Sequence, residues 1–263
     1  MSSQKESTVR TLVVALLVCL VCSVFVAGAA VALRPTQVEN ALLDKQRNIL
    51  AIAGLGDASM SGAQVKALFD ERIVARLVDL ETGRFSDAYD AETFDPAAAA
   101  KDPALSRNLS SAEDIASINR RENYSVAYIV EGEDQQMETL ILPVRGYGLW
   151  STLHGFLALR ADLNTVQGFG FYQHAETPGL GGEVDNPNWR GQWPGKQIFN
   201  EDGRPAIRIL KGSVEPGNPN AQHQVDGLAG ATLTVNGVNR LLEYWLGENG
   251  FGPFIDNLRA GEA

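Results

Sequence analysis

An apolar run near the start of the chain limits what the sequence can fold into more than any other feature. Residues 11–33 are 23 consecutive uncharged residues. A helix that rises about 1.5 Å per residue would span roughly 34 Å with them, enough to cross the hydrocarbon core of a bilayer. The run therefore predicts one transmembrane helix over 11–33, which follows an N-terminal tail of residues 1–10 and ends at Arg34 and Pro35.

Two cleavable signals share part of this pattern. A secretory signal has a shorter apolar region of roughly 7–15 residues, although Ala27-Gly28-Ala29 would serve as its cleavage site. A lipoprotein signal needs a small residue directly before its cysteine, whereas valines precede both Cys19 and Cys22. The length of the run argues against the first signal and the two valines against the second, so a retained single-span anchor is favoured.

The charges that flank the run bear on the orientation of the anchor. Lys5 and Arg10 precede it, and basic residues favour the cytoplasmic side of a membrane. Arg34, Lys45 and Arg47 follow it, so the charge asymmetry is weak. The short N-terminal tail nevertheless favours a cytoplasmic N-terminus, with the remainder of the chain on the opposite side.

The composition excludes several classes of function. The net charge is -10, whereas non-specific binding to nucleic acid requires a basic surface. Both cysteines lie in the apolar run, so the folded part can hold neither a disulfide nor a cysteine-ligated metal. The sequence His174-Ala175-Glu176 has the H-x-E form, but the P-C-x-x-C segment of the zinc deaminases is absent. We therefore expect no metal site and no nucleic-acid partner.

After the apolar run, helical and strand-like patterns alternate. Helices are predicted over 35–54, over 61–69 with Ser61 as the cap, over 111–120, and up to Gly247, where Val238, Leu241, Leu242 and Trp245 form one helical face. Strands are predicted over 73–80, 124–130, 139–144, 153–160 and 166–174, with a hairpin around 200–203. The short strands with tight polar links indicate an antiparallel meander.

This order of elements predicts an α+β fold, in which an antiparallel sheet with flanking helices follows the transmembrane helix. Residues 34–120 are predicted to connect the anchor to the main domain. They contain helices, a strand and a surface insertion rich in alanine, aspartate and proline. The main domain is predicted to comprise residues 121–263.

Two glycine-rich loops could carry chemistry. The first, residues 174–182, follows a predicted strand, and its backbone could approach a flat or anionic ligand closely. A plain connecting loop has the same composition. The second, residues 225–234, leads into the last predicted helix and brings Thr232 to its N-terminus, where an anion is favoured. Thr232 could instead be an ordinary helix cap.

Three motifs in these regions resemble the FMN-binding domain family. Asp226-x-x-Ala229-Gly230-Ala231-Thr232 resembles its flavinylation motif D-x-x-[ST]-G-A-T, with alanine in place of the usual Ser or Thr before the glycine. The loop 176–181 and the segment 148–150 resemble two further hallmarks of the family. With one anchor helix and the helix around 46–50, the whole chain resembles the C-subunit family of the sodium-translocating NADH:quinone reductases.

The resemblance implies an electron-transfer subunit of a respiratory complex in the bacterial inner membrane, coupled to sodium export. FMN would be bound covalently by a phosphoester to Thr232, on the periplasmic side. A threonine hydroxyl without an adjacent base is a poor nucleophile, so a separate flavin transferase is expected to attach it. The other partners are the membrane subunits of the same complex.

The resemblance also implies a set of cofactor-binding residues and no catalytic residue. Thr232 carries the FMN; the others are Asp226, Gly230, Ala231, Glu176, Thr177, Gly179, Leu180, Trp150 and Lys211. Two alternatives stay open. One is the Rnf-type electron-transport subunit, which has the same flavin domain but tends to be shorter than this chain with its segment 85–120. The other is a membrane-anchored binding protein without a redox role.

Overall fold

A computed structural model describes residues 7–56, 59–132, 134 and 136–263. One compact unit ends at Asp44, and the second is Lys45–Ala263. The helices are α1 Thr8–Ala53, α2 Gly62–Arg72, α3 Pro96–Ala99, α4 Pro187–Arg190, α5 Thr232–Leu246 and α6 Gly252–Ala260, with 3-10 turns at Gly181–Asp185 and Ala221–His223. The strands are β1 Ile73–Asp79, β2 Arg84–Phe85, β3 Ser106–Asn108, β4 Arg120–Glu122, β5 Tyr124–Glu131, β6 Met137–Tyr147, β7 Thr152–Arg160, β8 Val166–Gln173, β9 Arg208–Ile209 and β10 Gln224–Val225.

The apolar run lies in α1, a helix of 46 residues that contains Pro35. Among the described helices α1 alone is long and apolar enough to cross a membrane, with a mean hydropathy of 2.9 over its most apolar window. The helix continues past Arg34 and Pro35 to Ala53, so the apolar run and the predicted helix 35–54 form one continuous helix. Pro35 removes one helical hydrogen bond and crowds the preceding turn, but the helix continues on both sides of it.

The last turns of α1 belong to the folded unit. Ile49, Leu50 and Ile52 are buried. A Cβ added at Gly168 of β8 would lie 2.3 Å from the carbonyl oxygen of Ile52, so helix backbone and strand backbone are in direct contact. The glycine is therefore required for the end of α1 to pack on the sheet.

Helix α2 begins at the predicted cap. The Ser61 side chain accepts from the backbone N–H of Gln64, and the Gln64 side chain accepts from the Ser61 N–H at 2.9 Å. This reciprocal pair is a capping box, which satisfies two N–H groups that the first turn of a helix leaves without partners.

We expect S61A to lower the free energy of unfolding by about 1 kcal/mol, because it removes a helix cap. Thermal unfolding of the full chain in detergent measures the change, with a fall in Tm of roughly 2–4 °C for a domain of this size. S213A is the matched control, since Ser213 is exposed and does not cap a helix. Equal midpoints for the two variants would contradict the capping role.

The predicted meander is the centre of a six-stranded antiparallel sheet with the order β2-β1-β5-β6-β7-β8. Strand β6 pairs with β7 along nine residues, from Thr139 opposite Arg160 to Tyr147 opposite Thr152. Strand β1 pairs along its whole length with β5. It lies inside the segment 34–120 that is predicted from sequence to be a connection, and the structure divides near residue 44 rather than near 120.

One face of the sheet forms the core with α5. Leu140, Leu142 and Val144 alternate along β6 and are nearly fully buried. The helical face predicted from Val238, Leu241, Leu242 and Trp245 is also buried, in the same cluster. A Cβ at Gly146 would lie 2.8 Å from the Leu241 Cβ, so the helix sits directly on the strand. The α+β prediction, with helices beside an antiparallel sheet, is confirmed.

Residues 111–120 do not form the predicted helix. The Asp114 carboxylate accepts from the backbone N–H groups of Ile118 and Asn119, at 2.7 and 2.9 Å. Ser117 and Asn119 have φ angles of 55° and 61°. A short acidic side chain that bonds to nearby backbone offers the chain an alternative to the helix, and it stabilises a series of turns here.

The predicted hairpin around 200–203 is present but short. The N–H of Asn200 donates to the Arg204 carbonyl at 3.0 Å and that of Ala206 to the Ile198 carbonyl at 2.8 Å, on either side of the bridge between Phe199 and Pro205. Pro205 has no N–H with which to extend a ladder. The chain beyond it pairs elsewhere, because β9 lies parallel to β10. The Asn239 side chain of α5 bonds both the N–H and the carbonyl of Ile209, at 2.8 and 2.9 Å, and so fixes β9 against the helix.

Candidate functional site

Three loops that are distant in sequence meet at the carboxylate of Glu176. Its oxygens accept from the N–H groups of Leu149 at 3.1 Å and Trp150 at 3.0 Å, and from that of Ser151 at 3.4 Å. The hydroxyl of Thr234 donates to the other oxygen at 2.6 Å. One side chain thus joins the β6–β7 turn, the loop after β8 and the first turn of α5. We call this set of contacts the Glu176 junction.

Glycines leave the space that the Glu176 junction needs. A Cβ added at Gly181 would lie 2.5 Å from Thr234 Oγ1 and 2.8 Å from Glu176 Oε2. A Cβ at Gly148 would lie 2.6 Å from Glu176 Oε1. These distances are far inside van der Waals contact, so Gly148 and Gly181 allow the loops to meet at the carboxylate.

The carboxylate of Glu176 is held in its charged form. Burial by itself would raise its pKa, but hydrogen bonds from Thr234 and from the N–H groups of Trp150, Leu149 and Ser151 outweigh burial and lower the pKa below its ordinary value. The residue is 5% exposed. Glu176 therefore faces the interior of the loops, whereas the sequence predicts that it lines a ligand directly.

We expect G181A to lower the free energy of unfolding by about 1–3 kcal/mol, the usual effect of forcing a methyl group into a packed site. Urea unfolding of the full chain in detergent measures it. G212A is the matched control, because a Cβ at Gly212 meets nothing within 4 Å. If the two variants unfold at the same urea concentration, Gly181 is not closely packed at the Glu176 junction.

Thr232 is the first residue of α5, and its side chain is exposed. The cap position is occupied by Ala231, which provides no side-chain hydrogen bond, so Thr232 is not the helix cap. Among the described residues, the N–H groups of Thr232, Leu233 and Thr234 have no acceptor; the first such bond runs from Val235 to the Ala231 carbonyl. Three free N–H groups and the helix dipole favour an anion at this end of α5.

Asp226 and Lys211 organise the neighbouring segment in different ways. The Asp226 carboxylate accepts from the N–H of Val214 at 2.7 Å, and the N–H of Gly227 donates to the Gly212 carbonyl at 2.8 Å. Segment 211–214 is thereby fixed beside the start of the second loop. Lys211 is exposed on this segment.

Exposed apolar side chains gather around the Glu176 junction. Nine large apolar residues of Lys45–Ala263 are 36% or more exposed among the described residues, and five of them lie on or beside the three loops. These five are Tyr147, Leu149, Trp150, Leu180 and Leu233. Trp150 is 64% exposed, and a Cβ at Gly230 would lie 2.9 Å from Leu180 Cδ2. An apolar surface of this kind usually marks a binding site.

The structure brings most of the predicted site residues together. Glu176 and the loop with Thr177, Gly179 and Leu180 lie beside the turn that carries Trp150 and beside the start of α5, where Gly230, Ala231 and Thr232 lie. Asp226 contacts segment 211–214, which contains Lys211, rather than the Glu176 carboxylate. Thr177 and Gly179 are exposed, and Gly179 has a φ of 74°, which suits the turn closed by the Thr177 carbonyl.

Three residues of the site, Thr234, Leu149 and Leu233, are not among those predicted from sequence. For Thr234 a signal existed, because it stands on the same helical face as Val238 and Leu241. A hydroxyl on a buried apolar face needs a hydrogen-bond partner, and Thr234 is 1% exposed. No comparable local signal identifies its partner, which is 58 residues earlier in the chain.

Known proteins resemble this chain over nearly its full length. Residues 148–247, which contain all three loops and α5, match the family model described as FMN-binding domain. The C subunit of the Na(+)-translocating NADH-quinone reductase from Pseudomonas aeruginosa is 67% identical over 99% of this chain and 100% of its own length. The protein of the same name from Yersinia pestis is 51% identical over 97% of this chain and 95% of its own length.

A solved structure also resembles the folded unit. The crystal structure of Shewanella oneidensis NqrC has a TM-score of 0.74 and 34% sequence identity, and the alignment covers 82% of this chain and 96% of that chain. The relatives match from end to end, and the family model begins at the first of the three loops. The chain belongs to the NqrC family, the C subunits of the Na(+)-translocating NADH-quinone reductases.

Proposed function

We propose that this chain is a membrane-anchored electron carrier that bears FMN in a phosphoester bond to Thr232. The single observation that supports this most strongly is the convergence of the three loops at Glu176 beside an exposed threonine hydroxyl. The relatives from Pseudomonas aeruginosa and Yersinia pestis are by name subunits of an NADH-quinone reductase. Bound FMN supplies the redox chemistry, while the protein determines its position and its potential.

The residues around Thr232 fit both ends of such a cofactor. A phosphodiester keeps one negative charge, which the free N–H groups of Thr232, Leu233 and Thr234 could hold. Lys211 is the nearby cation proposed to approach the same charge. The four hydrogen bonds to the ionised Glu176 carboxylate disperse its charge and so weaken, without removing, its repulsion of the phosphodiester.

A flat aromatic ring finds apolar surface beside the phosphate site. Trp150 and Leu180 extend into solvent from two of the loops, and Leu233 does so from α5. Burying such side chains against a ring contributes roughly 25 cal/mol per Å² of apolar surface. Thr177 and Gly179 complete the proposed contacts. Gly230 keeps the approach open, because any larger residue there would meet Leu180.

Attachment requires another protein. Among the described residues the Thr232 hydroxyl has no hydrogen-bond partner that could remove its proton, and an unassisted hydroxyl is a weak nucleophile. We propose that a flavin transferase joins the Thr232 oxygen to the FMN phosphorus of FAD, with AMP as the leaving group and release of the hydroxyl proton. Exposure of Thr232 at the start of α5 gives such an enzyme access.

The membrane anchor bears on which other subunits the chain would need. The apolar run 11–33 has no Asp, Glu, Lys, Arg or His that could conduct an ion, so sodium export by the complex would use other membrane subunits. We propose a cytoplasmic N-terminus, because Lys5 and Arg10 precede the run. The FMN-bearing unit then lies on the periplasmic side of the bacterial inner membrane.

Mass spectrometry of the full chain, produced with a flavin transferase and then denatured, tests the proposal. The expected result is an added mass of FMN less one water, localised to the peptide that contains Thr232. Production without the transferase is the control and should leave that peptide unmodified. An unmodified peptide in both samples would contradict the attachment and favour a membrane-anchored binding protein without a redox role.

A further inference from the structure

His174 lies two residues before Glu176, and both of its ring nitrogens have hydrogen-bond partners. The backbone N–H of Glu176 donates to His174 Nδ1 at 3.2 Å. His174 Nε2 lies 2.7 Å from Asp185 Oδ2. The histidine side chain is 12% exposed, whereas that of Asp185 is 51% exposed. The imidazole therefore connects the loop after β8 to the end of the 3-10 turn Gly181–Asp185.

These two contacts determine which tautomer of His174 the structure requires. An N–H donor faces Nδ1, so Nδ1 must present its lone pair. A neutral imidazole then carries its proton on Nε2, where the carboxylate of Asp185 accepts it. The aspartate thus orients the ring and selects the tautomer, much as a carboxylate orients a metal-bound or catalytic histidine.

The adjacent residues extend this arrangement into the loops that surround Thr232. The N–H of Ala175 donates to Ser151 Oγ at 2.7 Å. The next N–H, that of Glu176, is held by His174, and the Glu176 side chain then reaches the β6–β7 turn and Thr234. The imidazole lone pair therefore holds the backbone that carries the carboxylate, in addition to the contacts that the carboxylate itself makes.

We propose that His174, oriented by Asp185, is a positioning residue for the flavin site: its Nδ1 holds the Glu176 N–H and so aligns Trp150, Leu180 and Thr232 for FMN. This rests on the proposed attachment of FMN to Thr232. His174 touches neither the attachment hydroxyl nor the exposed apolar side chains, so its effect passes through Glu176. It exchanges no proton or electron with the cofactor.

Two substitutions separate the roles of the two ring nitrogens. In H174N the amide oxygen replaces Nδ1 and can still accept from the Glu176 N–H. In H174Q the amide group reaches the position of Nε2, so it keeps a partner for Asp185 but loses the acceptor for Glu176. A merely space-filling histidine would be replaced equally well, or equally badly, by either side chain.

The measurement is the initial rate at which purified full-length chain in detergent gains covalent FMN from a flavin transferase and FAD. We expect H174Q to lower this rate about fivefold, corresponding to the loss of one hydrogen bond, and H174N to stay within about twofold of the unchanged chain. The midpoint potential of the FMN attached in each variant is the second readout. It should change in H174Q and not in H174N.

The outcomes distinguish this inference from the proposed function. If the unchanged chain gains no FMN at Thr232, the proposed function fails. If it does, and H174Q and H174N match each other in both readouts, the positioning role is overturned. Should H174Q not fold, D185A replaces it, because this substitution keeps His174 Nδ1 but removes the carboxylate that orients the ring. A rate of FMN attachment in D185A equal to that of the unchanged chain would then overturn the role of Asp185.

Discussion

T232A is expected to abolish covalent FMN while leaving the fold intact. The substitution removes the one hydroxyl at the start of α5 that is exposed, and no other side chain there can form a phosphoester at the same place. An exposed position without a capping bond contributes little to stability, so the free energy of unfolding should change by less than about 0.5 kcal/mol. In-gel flavin fluorescence of the denatured chain, after production with a flavin transferase, should disappear completely.

Two further variants make this experiment specific. T232S keeps a hydroxyl at the same backbone position and should retain fluorescence, although a more mobile side chain would slow attachment. Thr234 is the other threonine in the turn, but it is 1% exposed and donates its hydroxyl to Glu176. Fluorescence that persists in T232A and vanishes in T232A/T234V would move the attachment to Thr234 and contradict our assignment.

The elements predicted correctly are those in which the spacing of apolar residues along a short segment already indicates which residues are buried. The face of Val238, Leu241 and Trp245 predicts α5 because an amphipathic helix repeats its apolar residues every 3.6 positions. The strands of the meander alternate in the same local way. The end of α5 at Gly247 and the cap of α2 at Ser61 also depend on neighbouring residues alone.

The errors arise where a competing interaction decides the structure. Asp114 bonds to the backbone of Ile118 and Asn119, so segment 111–120 forms turns although its composition permits a helix. Pro35 lies inside α1, which continues on both sides of it although an interior proline removes one helical hydrogen bond. Local sequence could not decide between these outcomes, since each alternative satisfies the same backbone groups in a different way.

The sequence indicated which loops form the site but not which side chains contact one another within it. The order of the three motifs indicates which loops belong together, and it does so through a family resemblance. It does not indicate that Glu176 turns inward, that Thr234 is its partner, or that His174 and Asp185 stand behind it. Those contacts join residues up to 58 positions apart, so they depend on the packing of α5 on the sheet, which local patterns do not specify.

E176A is expected to have the largest effect on stability of any single substitution at the site. It removes a buried carboxylate that accepts three backbone N–H bonds and the hydroxyl of Thr234. Hydrogen bonds to a charged group contribute more than neutral ones, but the freed N–H groups lie near the surface and can be hydrated in part. We therefore expect the free energy of unfolding to fall by about 2–4 kcal/mol, measured by urea unfolding of the full chain in detergent.

E176Q tests the charge separately, through the pH dependence of stability. The folded-state pKa of Glu176 is lowered, so its charge stabilises the fold above the ordinary carboxyl pKa of about 4.3. That contribution is lost as the pH falls through the lowered folded-state pKa. The difference in urea midpoint between the unchanged chain and E176Q should thus be greatest near neutral pH and should shrink in acid. E215Q, at an exposed glutamate, is the control, and its urea midpoint should differ little from that of the unchanged chain at any pH. A difference that stays constant down to strongly acid pH would mean that the side chain acts by shape rather than by charge.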